Sequence, residues 1–257
     1  MSAASINNVI GKRFIELLSV DSTNNYAMQQ VQSGNASHGD AWFAFEQTSG
    51  RGQFNRQWLS TKGQNIILSV VMDTSSLALQ QQFLLNMVCA LTVVELFNKY
   101  TTEKIEIKWP NDIYCRDRKA AGILIESVIR GKNWQFAVAG FGININQTQF
   151  SATAVKNPIS LTQITGNTYK PVELAKEFCG LLNEKLKTLY KNYKQEILDA
   201  YNRHLYKRNE TVNFKLGNKL FSAQIKLADE FGNIIIDDGT LKKYRTGELE
   251  WMFDWLL

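Results

Sequence analysis

The sequence predicts an α+β fold: a larger part built on a mixed sheet, followed by a small β-barrel. Within residues 1–205, several strand-like segments follow one another with no helix between them, which argues against a doubly wound parallel sheet, where each strand needs a crossover. Two long helical patterns in the same region, about Leu79 to Tyr100 and Pro171 to about Leu205, can cover one face of such a sheet. After Lys207 the helical period disappears and short strands alternate with glycine turns. We therefore place a boundary near residue 206, with one domain over 1–205 and a second over 206–257.

In chain order, Phe14 to Val20, Ala41 to Glu46 and Ile66 to Met72 have the composition and length of strands. Between the first two, Asp21-Ser22-Thr23-Asn24-Asn25 supplies N-cap residues for a short helix from about Asn24 to Gln32. In the longer helix Leu84, Met87, Val88, Leu91 and Leu96 approximate a helical stripe. Lys104 to Trp109, Ile123 to Ile129 and Trp134 to Phe141 are three further strands, and Pro171, favoured in a first helical turn, opens the last helical region. Turns at Leu216-Gly217-Asn218, Glu230-Phe231-Gly232-Asn233 and Asp237-Asp238-Gly239 divide the C-terminal part into five short strands.

Composition narrows the function classes. A chain of 257 residues with 44% apolar content is globular and fills a sizeable core. Cys89, Cys115 and Cys179 are widely spaced and odd in number, with neither a CxxC pair nor a disulfide framework, which favours a reducing interior. The N-terminus lacks the features of a signal peptide, and no apolar run is expected to reach the ~18 residues that span a bilayer. A cytoplasmic protein without a membrane partner is the expectation. The net charge of +5 suits an anionic ligand. From Tyr206 to Leu257 eight basic residues balance eight acidic ones, so the C-terminal part carries no footprint for nucleic acid.

Three stretches carry chemistry. In Ile105-Glu106-Ile107-Lys108-Trp109 the strand period points Lys108 away from the face that its neighbours bury. Pro110 then ends pairing, which places Asn111 and Asp112 in a turn and gathers a cation, an amide and a carboxylate at one strand end. In Gln47-Thr48-Ser49-Gly50-Arg51-Gly52-Gln53-Phe54-Asn55-Arg56-Gln57-Trp58, glycines flanking an arginine let backbone amides and a guanidinium approach an anion. The spacing is not that of a P-loop, and taken by itself the stretch is better accounted for as a mobile basic surface loop. Gly140-Phe141-Gly142-Ile143-Asn144 lacks the third glycine of a dinucleotide fingerprint, Ile145 standing in its place. Close packing explains its glycines, whereas Asn144, an amide among apolar residues, needs partners or a ligand. The only histidines, His38 and His204, are remote from each other and from any suitable cluster, which argues against a metal centre or a Ser-His-Asp triad.

Taken in order, Ser22-Thr23-Asn24, Gln47 to Gly52, Arg56-Gln57-Trp58, Lys108 to Asp112, Arg118-Lys119-Ala120-Ala121-Gly122-Ile123-Leu124-Ile125-Glu126 and Gly140 to Asn144 resemble the biotin-protein ligases, in the monofunctional form without an N-terminal DNA-binding domain. The tail, with Gly232-Asn233-Ile234-Ile235-Ile236 and Thr246-Gly247-Glu248, is similar to that family's SH3-like C-terminal barrel. The resemblance implies a catalytic domain related to class II aminoacyl-tRNA synthetases and two reactions. Biotin and ATP give biotinyl-5′-AMP and pyrophosphate, and a lysine of a biotin carboxyl carrier domain then takes the biotinyl group. Biotin's carboxylate is itself the nucleophile, so the first step needs two anions brought together and charge stabilised at the α-phosphate.

The resemblance also implies roles. Arg51 and Lys108 neutralise carboxylate and phosphate oxygens. Ser22, Thr23, Asn24 and Gln47 hold biotin's polar head, with Gly122 and Leu124 beside its ring and tail and Gly50, Gly52 and Gln53 in the loop around it. Arg56, Trp58, Asn111 and Asn144 serve the nucleotide. Mg²⁺ is held by phosphates and water with no direct protein ligand, and Asp112 is a candidate base for the incoming lysine. Relatives often carry a second arginine where this chain has Gln53, so the adenylate is expected to be held less firmly. The alternative within the fold is a lipoate ligase or octanoyl transferase. Whether the chain is a monomer or a homodimer is left open.

Overall fold

The computed structural model describes residues 9–150 and 157–252. The outer ends of both expected domains therefore lie outside the described residues. Seven strands form one sheet: β1 (Phe14–Leu17), β2 (Ala41–Ala44), β3 (Ile66–Asp73), β4 (Ile105–Lys108), β5 (Asp112–Cys115), β6 (Arg118–Arg130) and β7 (Asn133–Ile143). Their spatial order is β1-β2-β3-β7-β6-β5-β4, with β1 and β2 parallel and the other neighbours antiparallel, which is the mixed sheet the sequence predicts. β3 lies centrally and its apolar run, Ile66 to Met72, is buried on both faces.

One face is covered by α2 (Gln82–Asn98) and α4 (Pro171–Tyr190). α2 is apolar around most of its circumference because it is wedged between the sheet, α4 and α5 (Lys194–Arg203). With its preceding turn the segment Leu79–Asn98 is long and apolar enough to cross a bilayer, contrary to the sequence expectation, yet most of it is buried inside the fold. α4 instead buries a stripe of Leu174, Phe178, Leu182, Leu186 and Leu189. The opposite face receives α1 (Thr23–Gln32), whose N-cap is Ser22.

The chain departs from expectation at three further points. Asp112 does not sit in the turn but opens β5, because the chain reverses over Trp109 to Asn111, with a cis Trp109–Pro110 bond, and pairs Lys108 with Asp112. The helical region from Pro171 to Leu205 is two helices, broken at Asn192, which takes a left-handed φ of 62° that asparagine tolerates. A short α3 (Leu161–Thr165), capped by Ser160 and Gln163, was not anticipated.

The C-terminal strands β8 (Thr211–Leu216), β9 (Lys219–Ala228), β10 (Ile234–Asp237), β11 (Leu241–Tyr244) and β12 (Glu250–Met252) form an antiparallel sheet in the order β11-β10-β9-β8-β12. Their buried residues, among them Phe214, Ile225, Ile234 and Ile236, join the core beneath the larger sheet. Polar bonds fix the junction: Asn202 bridges both backbone groups of Ala228, and the Trp109 indole donates to the Gly232 carbonyl at 3.1 Å.

Candidate active site

Register alone assembles most of the site. Lys108 pairs with Asp112, Asp112 with Gly122, Gly122 with Gly142 and Gly142 with Ile67, so one row crosses five strands on the face that carries α1. The next row, two residues along, joins Leu124, Gly140, Ser69 and Trp42, and a third joins Glu126, Val138 and Val71. The alternate residues, such as Ile123, Phe141 and Leu68, enter the core on the other side.

Three glycines make a floor on that face. A Cβ on Gly142 would lie 2.3 Å from the Trp58 indole, one on Gly122 3.0 Å from the same ring, and one on Gly140 2.2 Å from Asn24 Oδ1. Trp58 is delivered by the glycine loop, which closes as a hairpin through Trp58 N–H to Gly50 O (2.9 Å) and Gly52 N–H to Arg56 O (2.7 Å). Gly50 is required there, since a Cβ would meet the Trp58 carbonyl at 2.3 Å. The Trp58 indole N–H is buried with no acceptor among the described residues, an unusual state for a polar atom inside a protein.

Cations collect at one end. Lys119 forms a salt bridge with Asp112 at 2.7 Å, and its ammonium lies 5.6 Å from the Trp58 ring and beside Gly122. Lys108 projects into an aromatic enclosure, 5.6 Å from the Tyr114 ring and 5.1 Å from the Trp251 ring of β12. Burial lowers its pKa to about 8, against the pull of Asp112 and with help from Lys119 and Arg56. Two buried amides flank this end. Asn111 donates to the Ile123 carbonyl, and Asn144 donates to the carbonyls of Lys119 (3.3 Å) and Ile159 (3.2 Å). With their nitrogens committed, both present their oxygens as acceptors.

The other end is a hydrogen-bond network. Gln47 Oε1 accepts from Thr23 N–H (2.7 Å) and Thr23 Oγ1 (3.2 Å), and Ser69 Oγ reaches both Thr23 Oγ1 (2.8 Å) and Asn24 Oδ1 (2.6 Å). Asn24 Nδ2 donates to the Leu124 carbonyl (3.2 Å) and to Glu126 (3.0 Å). Glu126 also pairs with both guanidinium nitrogens of Arg51, at 3.0 and 3.2 Å, while Arg51 donates to Asn25 Oδ1 at 2.7 Å.

The geometry thus brings together Ser22, Thr23, Asn24, Gln47, Gly50, Arg51, Trp58, Lys108, Asn111, Asp112, Gly122, Leu124 and Asn144. Gly52, Gln53 and Arg56 lie on the outer part of the hairpin. Arg51 is not at the cationic end: it is turned toward Glu126. Sequence reasoning gave no role to Lys119, Ser69, Glu126 or Trp251. Strand periodicity could have found Glu126, which stands two residues from Leu124 and four from Gly122. Trp251 carried no comparable signal.

Residues 17–144 match the model of the biotin/lipoate A/B protein ligase family. The chain is 30% identical over 237 residues to the bifunctional ligase/repressor BirA of Escherichia coli (strain K12), covering 90% of this chain and 71% of that protein. It is 32% identical over 164 residues to the biotin–[acetyl-CoA-carboxylase] ligase of Paracoccus denitrificans, covering 61% of this chain and 66% of that one. In structure it is similar to the biotin protein ligase of Aquifex aeolicus in complex with biotin and ATP, with a TM-score of 0.79 and 26% identity over 94% of this chain and 99% of that one. A glycine floor covered by Trp58 and Asn24, with a polar network at one end and lysines at the other, is thus carried by a chain that belongs to the biotin/lipoate A/B protein ligase family.

Proposed function

We propose that this chain joins biotin to ATP, forming biotinyl-5′-AMP, and then transfers the biotinyl group to a lysine of a biotin carboxyl carrier domain. The observation that carries the reading is the glycine floor: Gly122 and Gly142 beneath Trp58 and Gly140 beneath Asn24, with amide and hydroxyl partners at one end and lysines at the other. A flat bicyclic head with a urea-like edge suits the Thr23, Asn24, Gln47 and Ser22 end, and a carboxylate suits the lysine end. Biotin relatives among the comparisons favour biotin over the lipoate alternative.

In the first step a carboxylate oxygen of biotin attacks the α-phosphorus of ATP, the bond to the β-phosphate oxygen breaks, and pyrophosphate leaves. Lys119 and Lys108 flank the developing negative charge, and Asp112 holds Lys119 in place through its 2.7 Å salt bridge. In the second step the neutral amine of the carrier lysine attacks the acyl carbon, the bond from that carbon to the phosphate oxygen breaks, AMP departs, and the amine's proton passes to water. Asp112, bound to Lys119, fits positioning better than proton acceptance. Arg56 and Trp58 adjoin the nucleotide. The Asp112 carboxylate and the oxygens of Asn111 and Asn144 are hard donors from two neighbouring backbone segments, and among the described residues no group of three or more His, Cys, Asp or Glu forms a metal cage. This donor set fits an Mg²⁺ that takes most of its ligands from phosphates and water, where it neutralises phosphate charge.

Residues 1–205 form the catalytic domain and 206–257 the SH3-like domain in this reading. The protein acts in the cytoplasm without a nucleic-acid partner, as a monomer or homodimer. The test is ATP–pyrophosphate exchange with Mg²⁺ and biotin, lipoate, octanoate or no acid. Exchange that depends on biotin is the expected outcome; exchange with lipoate or octanoate alone overturns the assignment.

A further inference from the structure

We propose that Glu126 is a latch: it holds Arg51 in the resting enzyme and releases it to the anionic ligand, while fixing the Asn24 amide that contacts the polar head. This deepens the biotin-ligase reading and rests on it. Glu126 projects from β6 on the ligand face, between the helix that carries Asn24 and the hairpin that carries Arg51. Its carboxylate accepts two hydrogen bonds, from Asn24 Nδ2 at 3.0 Å and from Arg51 Nη1 at 3.2 Å, and its other oxygen lies in ion-pair contact with Arg51 Nη2 at 3.0 Å. A forked pair of this kind fixes direction as well as charge. Through Asn24 and Ser69 it joins the Thr23 and Gln47 network, so the loop arginine and the head-binding residues share one partner.

Arg51 is nevertheless held loosely. Its side chain is 45% exposed and that of Glu126 24%, so the pair is screened by water and can be exchanged for a ligand carboxylate or phosphate. Releasing Arg51 leaves Glu126 bound to Asn24, and the head site keeps its geometry while the loop moves. Glu126 is therefore a positioning residue, acting through Arg51 and Asn24.

Glu126→Gln removes the charge that competes for Arg51 but keeps an oxygen to accept from Asn24; Glu126→Ala removes both. Amide hydrogen exchange across residues 50–58 of the ligand-free proteins reads the latch, and the KM for biotin in pyrophosphate exchange reads the site. The expected result is faster loop exchange in both variants, with the biotin KM falling roughly two- to five-fold in Glu126→Gln and rising in Glu126→Ala. Loop exchange in Glu126→Gln equal to wild type overturns the latch, as does an equal rise of KM in both variants. Wild-type protein without biotin-dependent exchange overturns the ligase reading instead, and the hydrogen-exchange comparison still decides whether Glu126 holds the loop.

Discussion

Lys108 shows how one side chain can be readable in part. Alternation along Ile105 to Lys108 gives its face, and the structure agrees, with Ile105 and Ile107 buried and Glu106 and Lys108 half-buried. Its neighbours were not readable, because Trp251 and Tyr114 reach it by tertiary packing. Lys119 was obscured for a related reason: a register shift between Ile113 and Tyr114 sets Lys119 opposite Tyr114, on the face that carries Asp112, and no local pattern announces a bulge. The pKa of about 8 has a consequence for rate. Below it Lys108 is charged and can neutralise phosphate; above it the charge is lost. Biotin-dependent pyrophosphate exchange is therefore expected to fall as pH rises through about 8, and Lys108→Arg, slower but always charged, is expected to lack that alkaline limb. Unfolding does not mimic this. Between about 8 and 10.5 the unfolded chain holds the proton that the folded chain has lost, so this group's contribution to stability rises with pH. Circular dichroism across the range separates the two effects, and an identical limb in Lys108→Arg would remove Lys108 as its source.

At the scale of elements, the sheet supplies the floor and the glycine hairpin the cover. Gly140 and Gly142 read in sequence as close packing near a strand end, which is correct in kind. What packs on them is Trp58 and Asn24, distant in sequence, and only the strand register puts Gly122 beside Gly142. Gly142 does not have a positive φ, so alanine is compatible with its backbone, yet its Cβ would fall 2.3 Å from the indole. Gly142→Ala is expected to expel Trp58, raise the biotin KM at least about ten-fold and cost about 1–2 kcal/mol of stability through lost burial. Gly180→Ala in α4, where an added Cβ meets nothing within 4 Å, is the counterpart: thermal denaturation is expected to show it about 0.5–1 kcal/mol more stable. Wild-type biotin affinity in Gly142→Ala would mean that the covered floor is not the ligand site.

At the scale of the whole molecule, the C-terminal sheet borders the candidate site. The sequence signalled its strands through regularly spaced glycine turns, but its charge balance and short strands gave no hint of where it docks. Docking is set by the residues that bridge the two parts: Asn202 to Ala228, Trp109 to Gly232, and the ring cluster of Tyr114, Tyr206, Phe214 and Trp251. Trp251 is the member that reaches the site, 5.1 Å from the Lys108 ammonium. Two effects of its ring oppose each other, since the π-face favours the charged lysine while exclusion of water disfavours it. Burial is the largest influence on Lys108, and the Trp251 ring at 5.1 Å is part of what buries it. Trp251→Ala is accordingly expected to admit water, raise the Lys108 pKa from about 8 toward its ordinary 10.5, and move the alkaline limb of pyrophosphate exchange to higher pH while lowering the rate at neutral pH. Loss of rate with the limb unmoved would assign Trp251 a role in docking alone; a limb displaced to lower pH would mean that the ring's attraction for the ammonium outweighs its exclusion of water. The upward shift, measured in a variant whose circular dichroism matches wild type, would establish that a residue of the smaller sheet tunes the charge with which the larger one meets phosphate.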